Sequence, residues 1–336
     1  MEITTPDYYH RFRCIAGRCP DSCCKEWDVQ VDDASAAYYR GLPGALGDRL
    51  RQVLSETEDG VVMVNENGRC PMWRSDGLCR IQAELGEEAL CQVCSRFPRL
   101  YHDYGDFAEE GLELSCPEAA RLILDSTSCR LETRCAAGGE DGEYDEEIME
   151  ILKRSRQKAF AILDDPAYCV ADALTLLLMY GYQVQGELDG GEPVEFDPSM
   201  ALEEARGFAQ AGNWRELADF YQELEILTPQ WRDWLARETS PVPWCSQLRA
   251  MARYLVLRYW YQAVADFDLV CRVKLVIVSC LRVKGLGGDI YRAAQLYSKE
   301  IENNTDNLEA ILDAAYTHPA LTDAKLLYML QEQGGE

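Results

Sequence analysis

Between residues 147 and 331 apolar positions recur at helical spacing: Ile148, Ile151, Leu152 and Ile162 share one face, and Leu174, Leu177, Leu178 and Tyr182 another. The pattern predicts two short helices over residues 207–220, parted at Gly212-Asn213, and a further helix starting at Thr228-Pro229, where proline suits the first helical position. Residues 244–264 and 267–283 form the longest predicted helices. Gly285-Leu286-Gly287-Gly288 breaks the second before residues 291–301, and His318-Pro319 splits two final helices. This part of the chain reads as an α-helical array.

The first 125 residues follow another rhythm. Trp27, Val29 and Val31 alternate with Asp28, Gln30 and Asp32, the period of a short strand with one buried face, and residues 61–64 form a second strand. Asp32 or Asp33 caps a helix carrying Tyr38 and Tyr39, and residues 46–54 are again helical. A hairpin is expected over residues 100–104 and 111–115, turning near Gly105-Asp106, and Pro117 opens a helix through Ala119, Ala120, Leu122 and Leu124. Thr5-Pro6-Asp7 likewise reads as a helix start leading to Tyr8, Tyr9 and Phe12. Gly- and acid-rich residues 134–146 read as a linker. The expected class is mainly α: a Cys-rich, metal-bound N-terminal domain with a few short strands (1–125), a linker (126–146) and an α-helical domain (147–336).

Composition narrows the function. At 47% hydrophobic and 27% charged residues the chain is of the soluble globular type. Its N-terminus has neither a basic start nor an apolar run, and no apolar stretch reaches the ~20 residues of a spanning helix, so a cytoplasmic protein without a membrane segment is expected. The formal charge of −25, with no basic patch, excludes nucleic acid as the natural partner.

Cysteine changes the picture most. Of fifteen cysteines, nine lie among the first 116 residues: Cys14, Cys19, Cys23, Cys24, Cys70, Cys79, Cys91, Cys94 and Cys116. With no secretion signal and an odd count, a disulfide framework is not expected; thiolate ligation of a metal is. The three histidines (His10, His102, His318) leave any such site mostly sulfur. Cys14-x4-Cys19-x3-Cys23 is neither a zinc ribbon nor a radical enzyme's C-x3-C-x2-C, because Glu26 stands at the third position. Cys169, Cys245, Cys271 and Cys280 sit singly on apolar helices, where cysteine acts as a small hydrophobe. Gly285–Gly288 has no surrounding βα pattern and reads as a helix end, not a nucleotide loop.

Phe12-Arg13-Cys14 followed by Cys19-x3-Cys23-Cys24-x2-Trp27-Asp28-Val29-Gln30-Val31-Asp32 resembles the N-terminal signature of the flagellin lysine-N-methylase (FliB) family. So do Cys70-Pro71, Gly77-Leu78-Cys79-Arg80-Ile81, Leu85-Gly86-Glu87, Cys94-x-Arg96-Phe97-Pro98-Arg99 and Ser115-Cys116-Pro117-Glu118-Ala119-Ala120-Arg121. A related cluster occurs in small proteins described as zinc- or iron-chelating. The resemblance covers about residues 1–125, with an echo at Tyr254, Arg258 and Tyr259. It implies methyl transfer from S-adenosylmethionine to lysine amines of flagellin, and a [4Fe–4S] cluster (zinc being the alternative). The ligand candidates it carries over are Cys14, Cys19, Cys23, Cys24, Cys79, Cys94 and Cys116, with Cys70 behind them. Cys91 departs from the family, which has proline there.

Trp27, Asp28, Asp32 and Glu118 travel with these motifs as catalytic candidates, while Arg96 and Arg99 are candidates for the carboxylate of S-adenosylmethionine or the charge of the cluster. A lysine must lose its proton before its nitrogen attacks a sulfonium methyl, so a carboxylate or tyrosinate with nearby rings is the expected setting. Two other readings remain open at this stage: a non-enzymatic zinc- or iron-binding interaction protein, and a cluster-based electron carrier.

Overall fold

The computed structural model describes residues 1–25, 28–58, 60–139, 142–237 and 240–332. The first half of the chain runs β1 (Glu2–Pro6), β2 (Val29–Val31), α1 (Asp33–Gly41), α2 (Gly44–Val53), β3 (Leu54–Thr57), β4 (Gly60–Met63), α3 (Arg80–Leu85), α4 (Gln92–Arg96), β5 (Arg99–Asp103), β6 (Phe107–Leu112), α5 (Pro117–Leu124) and β7 (Leu131–Cys135). The helical half follows with α6 (Glu146–Asp164), α7 (Val170–Leu188), α8 (Pro198–Phe208), α9 (Trp214–Glu223), α10 (Pro229–Leu235), α11 (Ser246–Tyr259), α12 (Val270–Leu286), α13 (Ile290–Ile301), α14 (Thr305–Thr317) and α15 (Asp323–Gln331). The fold is mainly α, as the periodicity requires.

The chain divides into two compact units whose boundaries differ from those read along the sequence. Phe12–Leu100 and Cys116–Glu118 form the cysteine-bearing unit; Met1–Arg11, Tyr101–Ser115 and Ala119–Glu336 form the helical one. The expected linker carries β7, and Thr5-Pro6 ends a strand instead of starting a helix. In the four-stranded sheet β5-β6-β1-β7, β1 lies parallel to β6 and antiparallel to β7, with Glu2 opposite Phe107 and Cys135. β-branched Ile3, Thr4 and Thr5 favour this extended state, and Pro6 stands at the strand end, where its missing amide costs least. The hairpin turn falls at Gly105 as expected, but its second strand starts earlier, at Phe107.

In the helical unit, polar side chains cap the helix starts. Asp145, Asp197, Asn213, Thr228, Asp289 and Asn304 each accept a hydrogen bond from a first-turn amide of the helix that follows. α12 lies among α7, α11, α13 and α14, and every residue of it except Gly285 is buried. Its cations are met by rings and carboxylates: Lys274 pairs with Asp323 at 3.1 Å, while the Lys284 ammonium lies 5.1 and 5.2 Å from the Trp214 and Trp244 rings. α12 ends at Gly287, whose φ of 70° confirms the Gly-rich stretch as a helix terminus.

The sheet is fastened to the helices of this unit by Glu109 on β6 and Arg156 on α6, side chains 7% and 4% exposed that pair through both guanidinium nitrogens. The guanidinium also lies 3.4 Å from the Tyr261 ring centre. Removing one partner strands a buried charge. Glu109→Ala is therefore expected to cost about 3–5 kcal/mol, and the joint change Glu109→Leu with Arg156→Met clearly less. Urea unfolding followed by circular dichroism measures both; a single variant no less stable than the double contradicts this account.

Candidate metal centre

Within the cysteine-bearing unit, a three-stranded antiparallel sheet, β2-β4-β3, sets the frame. Val29 and Val31 of β2 and Val61 and Met63 of β4 bury one face against Tyr39 of α1 and Leu50 of α2, and Cys70 and Cys91 belong to the same core. Cys24, Cys79 and Cys94 pack against it, half-buried. The two sequence limbs are joined by backbone: Cys70 N–H donates to the Cys24 carbonyl at 2.8 Å, and Lys25 pairs with Arg69 in a single antiparallel bridge. A turn then returns Cys79 beside Trp73, with Arg80 N–H bonded to the Met72 carbonyl at 2.7 Å.

These links bring thiols of the two limbs within electrostatic reach of one another. Cys23 hydrogen-bonds Cys24 and Cys24 hydrogen-bonds Cys70; Cys91 and Cys94 form a second bonded pair. Cys79 feels the charge of Cys23 and Cys91, and Cys94 that of Cys24 and Cys70, so the pairs share one electrostatic neighbourhood. Donation to Cys24, then desolvation of the sulfur of an otherwise exposed residue, pushes the Cys23 thiol far up. Cys24 is eased by Cys23, but its bond to Cys70 and its burial win and push it up to about 12. The acceptors move the other way: Cys24 lowers Cys70, and Cys94 lowers Cys91 to about 7. Each acceptor is the thiol readiest to become the thiolate a metal needs.

Cys19 lies within electrostatic reach of Cys14 and Cys23, at the edge of the group. Cys116 precedes α5 and belongs to the same compact unit. Among the described residues no three His, Cys, Asp or Glu side chains stand in metal-holding geometry. The donor chemistry fits a thiolate-bound metal group, and the fit is one of composition and convergence. Beside the thiols opens a cavity of about 210 Å³, lined by Cys19, Asp21, Ser22, Lys25 and Trp73. The Trp73 indole N–H is buried without an acceptor among the described residues.

The other residues singled out by sequence fall as follows. Trp27 lies outside the described residues. Asp28 accepts Asn65 N–H at 2.6 Å. Asp32 caps α1 through Ser35 N–H at 3.0 Å and also accepts Gln92 N–H at 2.9 Å, and the Gln92 and Ser35 amides hold its carboxyl below the usual carboxylate range. Its position ties α1 to the turn that presents Cys91 and Cys94. Glu118 is in the first turn of α5. Arg96 and Arg99 are exposed and line neither this cavity nor a second one in the helical unit; the Arg99 guanidinium lies 5.2 Å from the Phe12 ring centre. Cys91, which departs from the family pattern, is a core residue hydrogen-bonded to Cys94. Its C-x-x-C spacing with Cys94 was the signal for it.

A cysteine-rich unit with a thiol-lined core, in a chain that is mainly α, defines a candidate thiolate-metal protein. Comparison with known proteins is more specific. The chain is 30% identical over 137 residues to the flagellar biosynthetic protein FliU of Salmonella muenchen, a match covering 37% of this chain and 78% of that protein. It is 31% identical over 137 residues to a lysine-N-methylase of Salmonella typhimurium and 30% identical to one of Salmonella choleraesuis, each match covering 37% of this chain and 33% of the relative. The chain belongs to the FliB-like family of FliU and the lysine-N-methylases. It spans about a third of the length of the lysine-N-methylases it matches. No family model matches the chain. No solved structure matches it either.

Because Asp32 serves two amides from two elements, Asp32→Ala is expected to destabilise the cysteine-bearing unit by about 1–2 kcal/mol, and Asp32→Asn, which keeps one acceptor, by less. The contribution is complete above about pH 4 and is lost as pH falls through the lowered carboxyl value. Hydrogen exchange at the α1 and α4 amides measures it; an alanine variant as protected as wild type contradicts the role.

Proposed function

We propose that the chain is a protein-lysine N-methyltransferase that uses S-adenosylmethionine as donor, acts on flagellin, and depends on a [4Fe–4S] cluster held by its N-terminal thiols. The observation that carries the reading is the convergence of two distant cysteine limbs into one thiol group in a member of a family whose curated relatives are named lysine-N-methylase. Cys23, Cys24, Cys70, Cys79, Cys91 and Cys94 offer more thiolates than the four such a cluster takes, with Cys14, Cys19 and Cys116 in the same unit. When bound, the cluster supplies redox-active iron at a position the thiols fix.

The chain's own residues prepare the rest. The small cavity beside Cys19 is lined by Lys25, whose ammonium suits the carboxylate end of an amino-acid-derived methyl donor better than Arg96 and Arg99, which do not line it. Lys25 is held by Asp21 at 3.1 Å and lies 5.4 Å from the Trp73 ring centre, which fixes its direction. Asp28 and Asp32 spend carboxylate oxygens on backbone amides and act by positioning the strand and helices that carry the thiols.

Anaerobically prepared protein is expected to be brown, to contain iron and sulfide, and to transfer label from S-adenosylmethionine to flagellin lysines. Cys24→Ser and Cys70→Ser are expected to lose colour and transfer together, while Cys169→Ser, an exposed thiol at a helix cap of the other unit, keeps both. Colourless protein with stoichiometric zinc and no transfer contradicts the reading.

A further inference from the structure

The helical unit carries a second cavity, of about 660 Å³, within the size range of ligand pockets. Tyr104, Tyr144, Asp103 and Glu143 line it, with the turn at Gly105 and the first residue, Met1, at its rim. Neither carboxylate has a basic partner among the described residues. Asp103 spends one oxygen on the Gly105 amide at 2.9 Å, and the other stays open. The Met1 ammonium is turned onto the carbonyls of Ala136 and Gly138, at 3.3 and 3.1 Å.

The rings are not isolated. Tyr104 stacks on Phe107 with centroids 4.7 Å apart and meets Tyr261 edge-on at 6.0 Å, and Tyr144 meets Phe107 edge-on at 6.4 Å. This aromatic group already takes up cations of the chain: the Lys153 ammonium lies 4.2 Å from the Phe107 ring centre, and the Arg156 guanidinium 3.4 Å from that of Tyr261. Tyr144 is steadied by its hydroxyl, which donates to Asp106 at 2.6 Å. Aromatic faces beside unpaired carboxylates attract an alkylammonium by ring quadrupole and charge together. A methylated ammonium, poorer in hydrogen-bond donors, keeps the ring attraction.

We infer that this cavity is a binding site for an alkylammonium group, the lysine side chain of a polypeptide segment, unmodified or Nε-methylated. The choice of a protein lysine as the source rests on the methyltransferase reading; the ammonium chemistry of the cavity stands without it.

The test is calorimetric titration of the full chain with Nα-acetyl-lysine amide, its Nε-trimethyl form and the neutral isostere Nα-acetyl-norleucine amide. Both ammonium probes should bind saturably and the isostere at least about tenfold more weakly. The double variant Asp103→Asn with Glu143→Gln, changed only at exposed side chains, should weaken both ammonium probes about tenfold or more while unfolding like wild type, and binding should weaken with added salt. Tyr144→Phe, which loses the bond to Asp106 but keeps the ring, should retain most of the affinity. The inference is overturned if the ammonium probes do not bind, if the isostere binds equally, or if the folded double variant binds as wild type does. Methyl transfer is assayed separately. Its absence with amine binding intact strikes the enzymatic reading and leaves the ammonium site standing.

Discussion

The Cys70 amide donates to the Cys24 carbonyl across 2.8 Å, and the sulfur chemistry of this protein depends on that backbone bond. It lies between two chain segments that share no sequence pattern, and it places the thiols of one against those of the other. Cys24 can then hydrogen-bond both Cys23 and Cys70, which adjacent residues alone could not arrange. The bond is made in a setting of buried valines and methionines, where an unpaired amide would be costly. Core packing and thiol convergence are therefore one event.

That coupling has a consequence for stability. Cys70 and Cys91 are counted among the core residues that α1 and α2 bury, so the sulfurs serve as small hydrophobes as well as donors. A metal drawing protons off these thiols would tighten the same core, and its binding energy would appear as folding energy of the cysteine-bearing unit. Asp32 contributes from the other side, since its carboxylate fixes the turn before Cys94 relative to α1.

Much of this was legible beforehand because the signals are local. Alternation around Val29 and Val31 gives β2, and Asp32 and Thr228 give the starts of α1 and α10. What was not legible is non-local. β1 is a strand because β6 and β7 flank it, which nothing in Thr5-Pro6-Asp7 announces, and β7 is a mostly exposed strand whose sequence, Leu131-Glu132-Thr133-Arg134-Cys135, is polar enough to pass for linker. The division into units follows these pairings, so the units part from the chain-order boundaries at residues 1–11, 101–115 and 119–125. The acidic aromatic cavity gathers Met1, Asp103 and Glu143, positions that only the fold brings together.

Differential thiol alkylation read by mass spectrometry shows whether the two cysteine limbs share one site. On anaerobically prepared protein, Cys23, Cys24, Cys70, Cys79, Cys91 and Cys94 are expected to be protected together and to become reactive together after treatment with a chelator, while exposed Cys135 and Cys169 react in both states. Alkylation of the Cys23–Cys24 limb at a rate unrelated to that of Cys70–Cys94, with or without chelator, would contradict a single shared site.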